Sequence, residues 1–119
     1  SMVEFALTLP VFILIIMGIV DFGRAFNTYN TLSNAAREGA RVGAIPTNSD
    51  TDIRQRAKEK GLLLHLTDDD IAITSRTPGQ RFTVTTTYYF YAITPLITVF
   101  LGPDGYLTLT SSASMRMEY

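Results

Sequence analysis

The sequence predicts an α+β fold in which a long N-terminal helix packs, by its C-terminal half, on a small antiparallel sheet. Three observations predict it. From Met2 to about Gly43 no strong terminator intervenes, and apolar or small residues recur at intervals of three and four. From Ile71 onward ten of 49 residues are Thr, against six among the first 70, a shift from helical to strand composition. Turn residues cluster at Thr77-Pro78-Gly79 and Gly102-Pro103-Asp104-Gly105, dividing that region into strands. With 119 residues, 46% of them apolar and 18% charged, the chain has the length and chemistry of one globular domain rather than two.

The helix opens with Phe5 to Val20, sixteen residues without a charge. As a helix this segment spans about 24 Å, and Ser1 to Val20 spans about 30 Å, the hydrocarbon thickness of a bilayer. The start, Ser1-Met2-Val3-Glu4, lacks the basic region and small-residue cleavage site of a secretory signal, so the apolar segment is expected in the mature chain. Beyond it Phe22, Ala25, Phe26, Tyr29, Leu32, Ala36, Ala40 and Gly43 continue the helical spacing. Pro10 removes one backbone donor and crowds the preceding turn, which predicts a kink or a loosened stretch near Ala6 to Pro10. Pro46 and the Asn48-Ser49 turn end the element. A helix of about 40 residues is about 60 Å long, whereas a domain of the remaining residues is only about 25 to 30 Å across, so its N-terminal half is expected to protrude. The organisation read from this is a protruding apolar assembly or membrane helix over residues 1–27 and an α+β globular head over residues 28–119.

Ala35, Ala36, Gly39, Ala40, Gly43 and Ala44 give the second half of the helix a surface that another layer can approach closely. Gly39 and Gly43 form a G-x-x-x-G pair, but Arg37, Glu38 and Arg41 surround it, which favours packing on the sheet over pairing in a membrane. Asp50 to Leu64 predicts a short amphipathic helix, with Asp50 or Thr51 as N-cap and Ile53, Ala57, Gly61 and Leu64 on one side. Three strands follow, at about Ile71 to Ser75, Arg81 to Ala92 and Tyr106 to Met117. The middle one lies in a charge-free run from Phe82 to Pro103, yet its alternation of Phe82, Val84, Thr86, Tyr88 and Phe90 is that of a strand. In the last strand Leu107, Leu109, Ala113, Met115 and Met117 share the face expected to meet the helix.

The charge and residue inventory narrows function. Ten Lys and Arg against eleven Asp and Glu leave no excess positive field, so nucleic acid is not an expected partner. The absence of Cys removes thiolate metal sites, iron–sulfur clusters and Cys nucleophiles. His65 is the only histidine, and nothing supplies a nucleophile–base order, a zinc helix or a phosphate loop. Asp68-Asp69-Asp70 is the dense carboxylate cluster, but consecutive residues do not all face one ion, which favours a solvated turn. The Tyr88 to Tyr91 run, with no basic patch beside it, is expected to pack rather than stack bases. We therefore expect no enzyme activity, no cofactor and no metal.

The opening Val3-Glu4-Phe5-Ala6-Leu7-Thr8-Leu9-Pro10-Val11-Phe12, followed by Gly18-Ile19-Val20-Asp21-Phe22-Gly23-Arg24-Ala25-Phe26 and Asn34-Ala35-Ala36-Arg37-Glu38-Gly39-Ala40-Arg41, resembles the TadE-like pilins and pseudopilins. The closing segment Leu107 to Arg116 is similar to the end of that family's chains. The resemblance covers about the first 45 residues closely, the last strand loosely and the middle in outline. It implies a pilin-like fold and a subunit of the type IV-like pilus of the tight-adherence (Tad) system. Such a subunit is processed by a prepilin peptidase, held in the cytoplasmic membrane by its N-terminal helix, and extracted by an inner-membrane platform with an ATPase into an extracellular filament of its own copies. The family's carboxylate, usually the fifth residue and facing a neighbour's N-terminal amine, matches Glu4 here. Either one leading residue is absent from this numbering or processing differs, and one residue shifts the amine by about 1.5 Å along the axis and about 100° around it. A minor pseudopilin that starts or caps a filament of another pilin, and a membrane-anchored binding module, are the alternative readings.

Under this resemblance the residues expected to carry assembly are Glu4, Phe5, Leu7, Leu9, Pro10, Phe12, Ile16, Ile19, Asp21 and Arg24. Glu4 either favours the helix macrodipole without a partner or pairs with an amine, since an unpaired carboxylate in a packed helical core is costly. Asp21 and Arg24 stand three residues apart and form either a local helix pair or a contact between subunits.

Overall fold

The structure, a computed structural model, describes residues 1–95 and 105–118. Its elements are the helices α1 (Met2–Gly43) and α2 (Asp50–Lys60) and the strands β1 (Ile71–Ile73), β2 (Arg81–Tyr91) and β3 (Tyr106–Arg116), with 3-10 turns at Leu62–Leu64 and Asp68–Asp70. The strands form one sheet in the order β1-β2-β3. β1 runs antiparallel to β2 with Ile71 opposite Thr86 and Ile73 opposite Val84. The hydroxyl pairs Thr83–Ser114 and Thr85–Ser112 run in opposite senses along β2 and β3, which makes that pair antiparallel too. The fold is α+β, and each predicted strand is present within one or two residues of its expected ends. The expected turn at Gly102 to Gly105 lies outside the described residues except for Gly105, whose φ is 69°.

Two compact units divide the chain: Ser1–Asn27 with Tyr89–Leu107, and Thr28–Tyr88 with Thr108–Tyr119. In the second unit the core comprises Leu32, Ala35 and Ala40 of α1, Ile53 and Ala57 of α2, and Leu66, Ile71, Phe82, Val84 and Met117. The small residues of α1 make this contact possible. A Cβ on Gly43 would lie 2.7 Å from the Phe82 ring and 2.8 Å from Ile53, and one on Gly39 would lie 3.3 Å from Ile53. The G-x-x-x-G pair thus serves packing on α2 and the sheet. Thr86, fully buried on the inner face of β2, donates its hydroxyl to the Leu32 carbonyl at 3.0 Å, so a polar residue crosses the core without an orphaned oxygen.

The ends of the elements are capped by side chains. Arg76 donates through Nη2 to the Gly43 carbonyl at 2.8 Å and to the Ile45 carbonyl at 3.2 Å, satisfying acceptors that α1 leaves open at its C-terminus. At the start of α2 the N-cap is Ser49, not Asp50 or Thr51. Its hydroxyl accepts the Asp52 N–H at 3.3 Å while the Asp52 carboxylate accepts the Ser49 N–H at 2.9 Å, a reciprocal box that the two expected residues do not form. α2 stops at Lys60, and Leu62–Leu64 continues as a 3-10 turn because Gly61 is a poor helix residue. Pro78 and Gly79 form the turn before β2, with φ of 81° at Gly79 and Gln80 donating to the Thr77 carbonyl at 3.0 Å. Thr67 and Asp70 cap the acidic turn in the same reciprocal way as Ser49 and Asp52.

In the first unit α1 passes through Pro10 without a break. The loosened stretch expected near Ala6 to Pro10 does not interrupt the helix of the isolated chain. Proline deletes one donor only; the turns on either side keep theirs, and Thr8 adds a bond from its hydroxyl to the Glu4 carbonyl at 2.8 Å.

Candidate assembly and membrane surface

The apolar segment of α1 is uncovered. Phe5, Leu7, Leu9, Phe12, Ile16 and Ile19 are all exposed, Leu7 to 71% and Ile19 to 67%. An 18-residue window of this helix has a mean hydropathy of 2.5, none of it buried inside the chain. Only Leu14, Met17 and Gly18 of the segment are half-buried. Soluble monomers rarely leave a contiguous apolar patch above a few hundred Å², and this helix surface therefore calls for a bilayer or for other protein around it. Pro10 is exposed within the same surface. Glu4 is also exposed, and its Oε2 lies 3.2 Å from the Ser1 amino group, a contact in open solvent that contributes little.

One residue past the apolar segment the chemistry changes abruptly. Asp21 is only 2% exposed. Its Oδ2 accepts the Thr94 N–H at 2.7 Å, and its Oδ1 accepts the Ile93 N–H at 3.0 Å and Arg24 Nη1 at 3.1 Å. Burial works against the charged carboxyl, but the Ile93 and Thr94 groups and Arg24 outweigh it and push its pKa down to about 2. The Thr94 hydroxyl stands near enough to add to this effect without meeting hydrogen-bond geometry. Arg24 lies over the Phe90 ring, 5.0 Å from its centroid, so its charge faces a carboxylate and an aromatic surface at once. Asp21 and Arg24 thus form the local helix pair, extended by two backbone amides from far along the chain.

An apolar hollow of about 280 Å³ adjoins this lock, lined by Gly18, Phe22, Ala25, Phe90, Ala92 and Leu107 with Asp21 at its edge. In the same unit Tyr106 packs edge-on to Tyr89 and Tyr91, with centroids 4.9 and 5.7 Å apart. Tyr89 and Tyr91 stay exposed outside the core while their rings meet Tyr106, and the partners of Asp21 are not legible in the sequence. A carboxylate at the end of an apolar run announces a boundary, but no local pattern points from position 21 to positions 93 and 94.

Residues 1–41 match the family model described as TadE-like protein. This segment is TadE-like. The match covers Glu4, Pro10, the apolar segment and the Asp21–Arg24 pair, and ends inside the part of α1 that packs in the second unit. No curated protein and no solved structure matches the chain. The TadE-like match and the uncovered apolar helix are together consistent with a Tad pilus-associated, membrane-anchored protein.

Proposed function

We propose that the chain is a structural subunit of an extracellular Tad-type filament, held in the cytoplasmic membrane by its N-terminal helix before assembly. The carrying observation is that no residue of the apolar segment of a TadE-like helix is buried and all but three are exposed. In the bilayer that surface is solvated by lipid; once the subunit leaves the membrane, copies of the same segment are the available cover. Glu4, Phe5, Leu7, Leu9, Pro10, Phe12, Ile16 and Ile19 then face neighbouring copies. Asp21 and Arg24 act inside the subunit, fixing the end of the apolar segment against the 93–94 backbone.

On this reading the chain works by binding and polymerising, not by catalysis, and a prepilin peptidase and an inner-membrane platform with an ATPase handle it before export. The test is electron microscopy of fibres shed from cells that express the chain, with mass identification of the dominant protein. Fibres composed mainly of this chain support the reading. Fibres composed of another pilin with this chain as a trace component assign it to the minor, initiating or capping role, and an absence of fibres together with membrane retention assigns it to an anchored binding module.

A further inference from the structure

The solvent face of β2 and β3 in the second unit carries a like-charge pair. Thr83 bonds Ser114 through their hydroxyls at 2.8 Å and Thr85 bonds Ser112 at 2.9 Å. These contacts fix the register, and two residues further along the same face Arg81 stands opposite Arg116. Both arginines are exposed, and neither forms an ion pair among the described residues. Glu118, two residues past Arg116, forms none either. Like charges directly opposite on neighbouring strands, about 5 Å apart at their Cβ atoms, destabilise a sheet. Five other cationic side chains are paired with carboxylates, among them Arg24 with Asp21, Arg56 with Glu38 and Arg76 with Asp50, whereas the exposed Arg37 on α1 forms no ion pair among the described residues and stands opposite no second arginine.

We propose that this face binds an acidic polysaccharide, with a sugar carboxylate between Arg81 and Arg116 and neutral sugar hydroxyls along the Thr83–Ser114 and Thr85–Ser112 pairs. A guanidinium pair offers ten N–H donors in two planar forks, a fit for a carboxylate. Each bonded hydroxyl pair keeps one donor and spare lone pairs for a polyhydroxylated partner. The composition of the face argues against nucleic acid and against a lipid surface. Nucleic acid presents a phosphate at every residue and needs positive charge along its whole track, which the hydroxyl rows do not provide. A lipid surface needs apolar side chains to enter the acyl boundary, and this face presents hydroxyls there. A chain of sugars with sparse carboxylates matches both the charged end and the neutral rows.

The experiment titrates the full chain in non-ionic detergent micelles with a uronate hexasaccharide from alginate, an uncharged glucan hexasaccharide and phosphatidylglycerol vesicles. The proposal expects binding of the uronate hexamer that weakens with salt, and much weaker binding of the glucan. Arg81→Gln and Arg116→Gln each weaken uronate binding roughly tenfold, Glu118→Gln does not weaken it, and Arg37→Gln, an exposed helix arginine, leaves it unchanged. Because removing one charge relieves the pair, neither sheet variant should unfold, and uronate should raise the thermal midpoint of the wild type but not of the variants. No uronate binding, equal loss in Arg37→Gln, equal affinity for the glucan, or preference for the vesicles would each overturn the proposal.

Discussion

Asp21 and Thr94 are joined by a 2.7 Å bond from the Thr94 N–H to a carboxylate buried to 98% of its surface, across 73 positions of sequence. Because the pKa of Asp21 is lowered to about 2, its contribution is present above its unfolded-state value near 4 and is lost as pH falls through about 2. Amide exchange at Ile93 and Thr94 should therefore stay slow and level from pH 7 to about 4.5, after correction for the intrinsic rate. Protection should fall between about pH 4 and pH 2. Asp21→Asn, which turns a neutral amide toward the same donors, should reduce that protection at neutral pH and abolish its acid dependence. Persistence of the step in the variant would assign it to another carboxylate.

Gly43 and Gly39 differ in how much room they have. The 2.7 Å approach of a Cβ at Gly43 to the Phe82 ring and its 2.8 Å approach to Ile53 leave no free space, whereas Gly39 leaves 3.3 Å. Gly43→Ala should cost about 1–3 kcal/mol of stability by overpacking, less whatever alanine gains in helix propensity, and Gly39→Ala should cost less. Urea unfolding of both variants, followed by tyrosine near-UV signal, checks the order. Equal midpoints would mean that Phe82 shifts at no cost.

Arg76 holds the last carbonyls of α1 and pairs with Asp50 at 3.3 Å. Replacing it with Met keeps much of the apolar stem but leaves those carbonyls short of a donor, at an expected cost of about 1–3 kcal/mol. Asp50→Asn should cost well under 1 kcal/mol, because that carboxylate is half-exposed. The same unfolding measurement separates the two roles, and a larger loss in the Asp50 variant would reverse them.

Glu4→Ala should leave membrane insertion intact and strongly reduce fibre yield. Insertion requires apolarity, which the substitution does not lower, whereas an ionised carboxylate enclosed among packed helices requires a partner. Fractionation of membranes together with fibre counts by microscopy distinguishes the steps. Normal fibre yield would reduce Glu4 to a residue that only favours the first helical turn.

Much of the fold was legible because it rests on local periodicity. The three-and-four spacing of α1, the alternation of Phe82, Val84, Thr86 and Phe90, and the Pro78-Gly79 turn each act within a few residues of themselves. The N-cap of α2 was misplaced by one residue because Ser49, Asp50 and Thr51 are all good capping residues, and only the reach of Asp52 back to the Ser49 N–H decides among them. Ser111 stands on the inner face of β3, buried and bonded to Ser33 at 2.8 Å, where a hydroxyl gives no apolar signal to mark the position as core. The apolar surface of the candidate site was visible as a charge-free run. The amide partners of Asp21 and the opposed pair Arg81 and Arg116 depend on chain topology and register, which no single stretch of sequence encodes.

The central claim is that copies of this chain cover one another's apolar segments. A helical reconstruction of the purified fibre at side-chain resolution measures it directly. The account predicts Phe5 to Val20 surrounded by the same segment of neighbouring copies, with Phe5, Leu7, Phe12, Ile16 and Ile19 buried and the Asp21 contact to Thr94 preserved within each subunit. A fibre core built from a different protein, or one in which Phe5 to Val20 stays exposed, would contradict it.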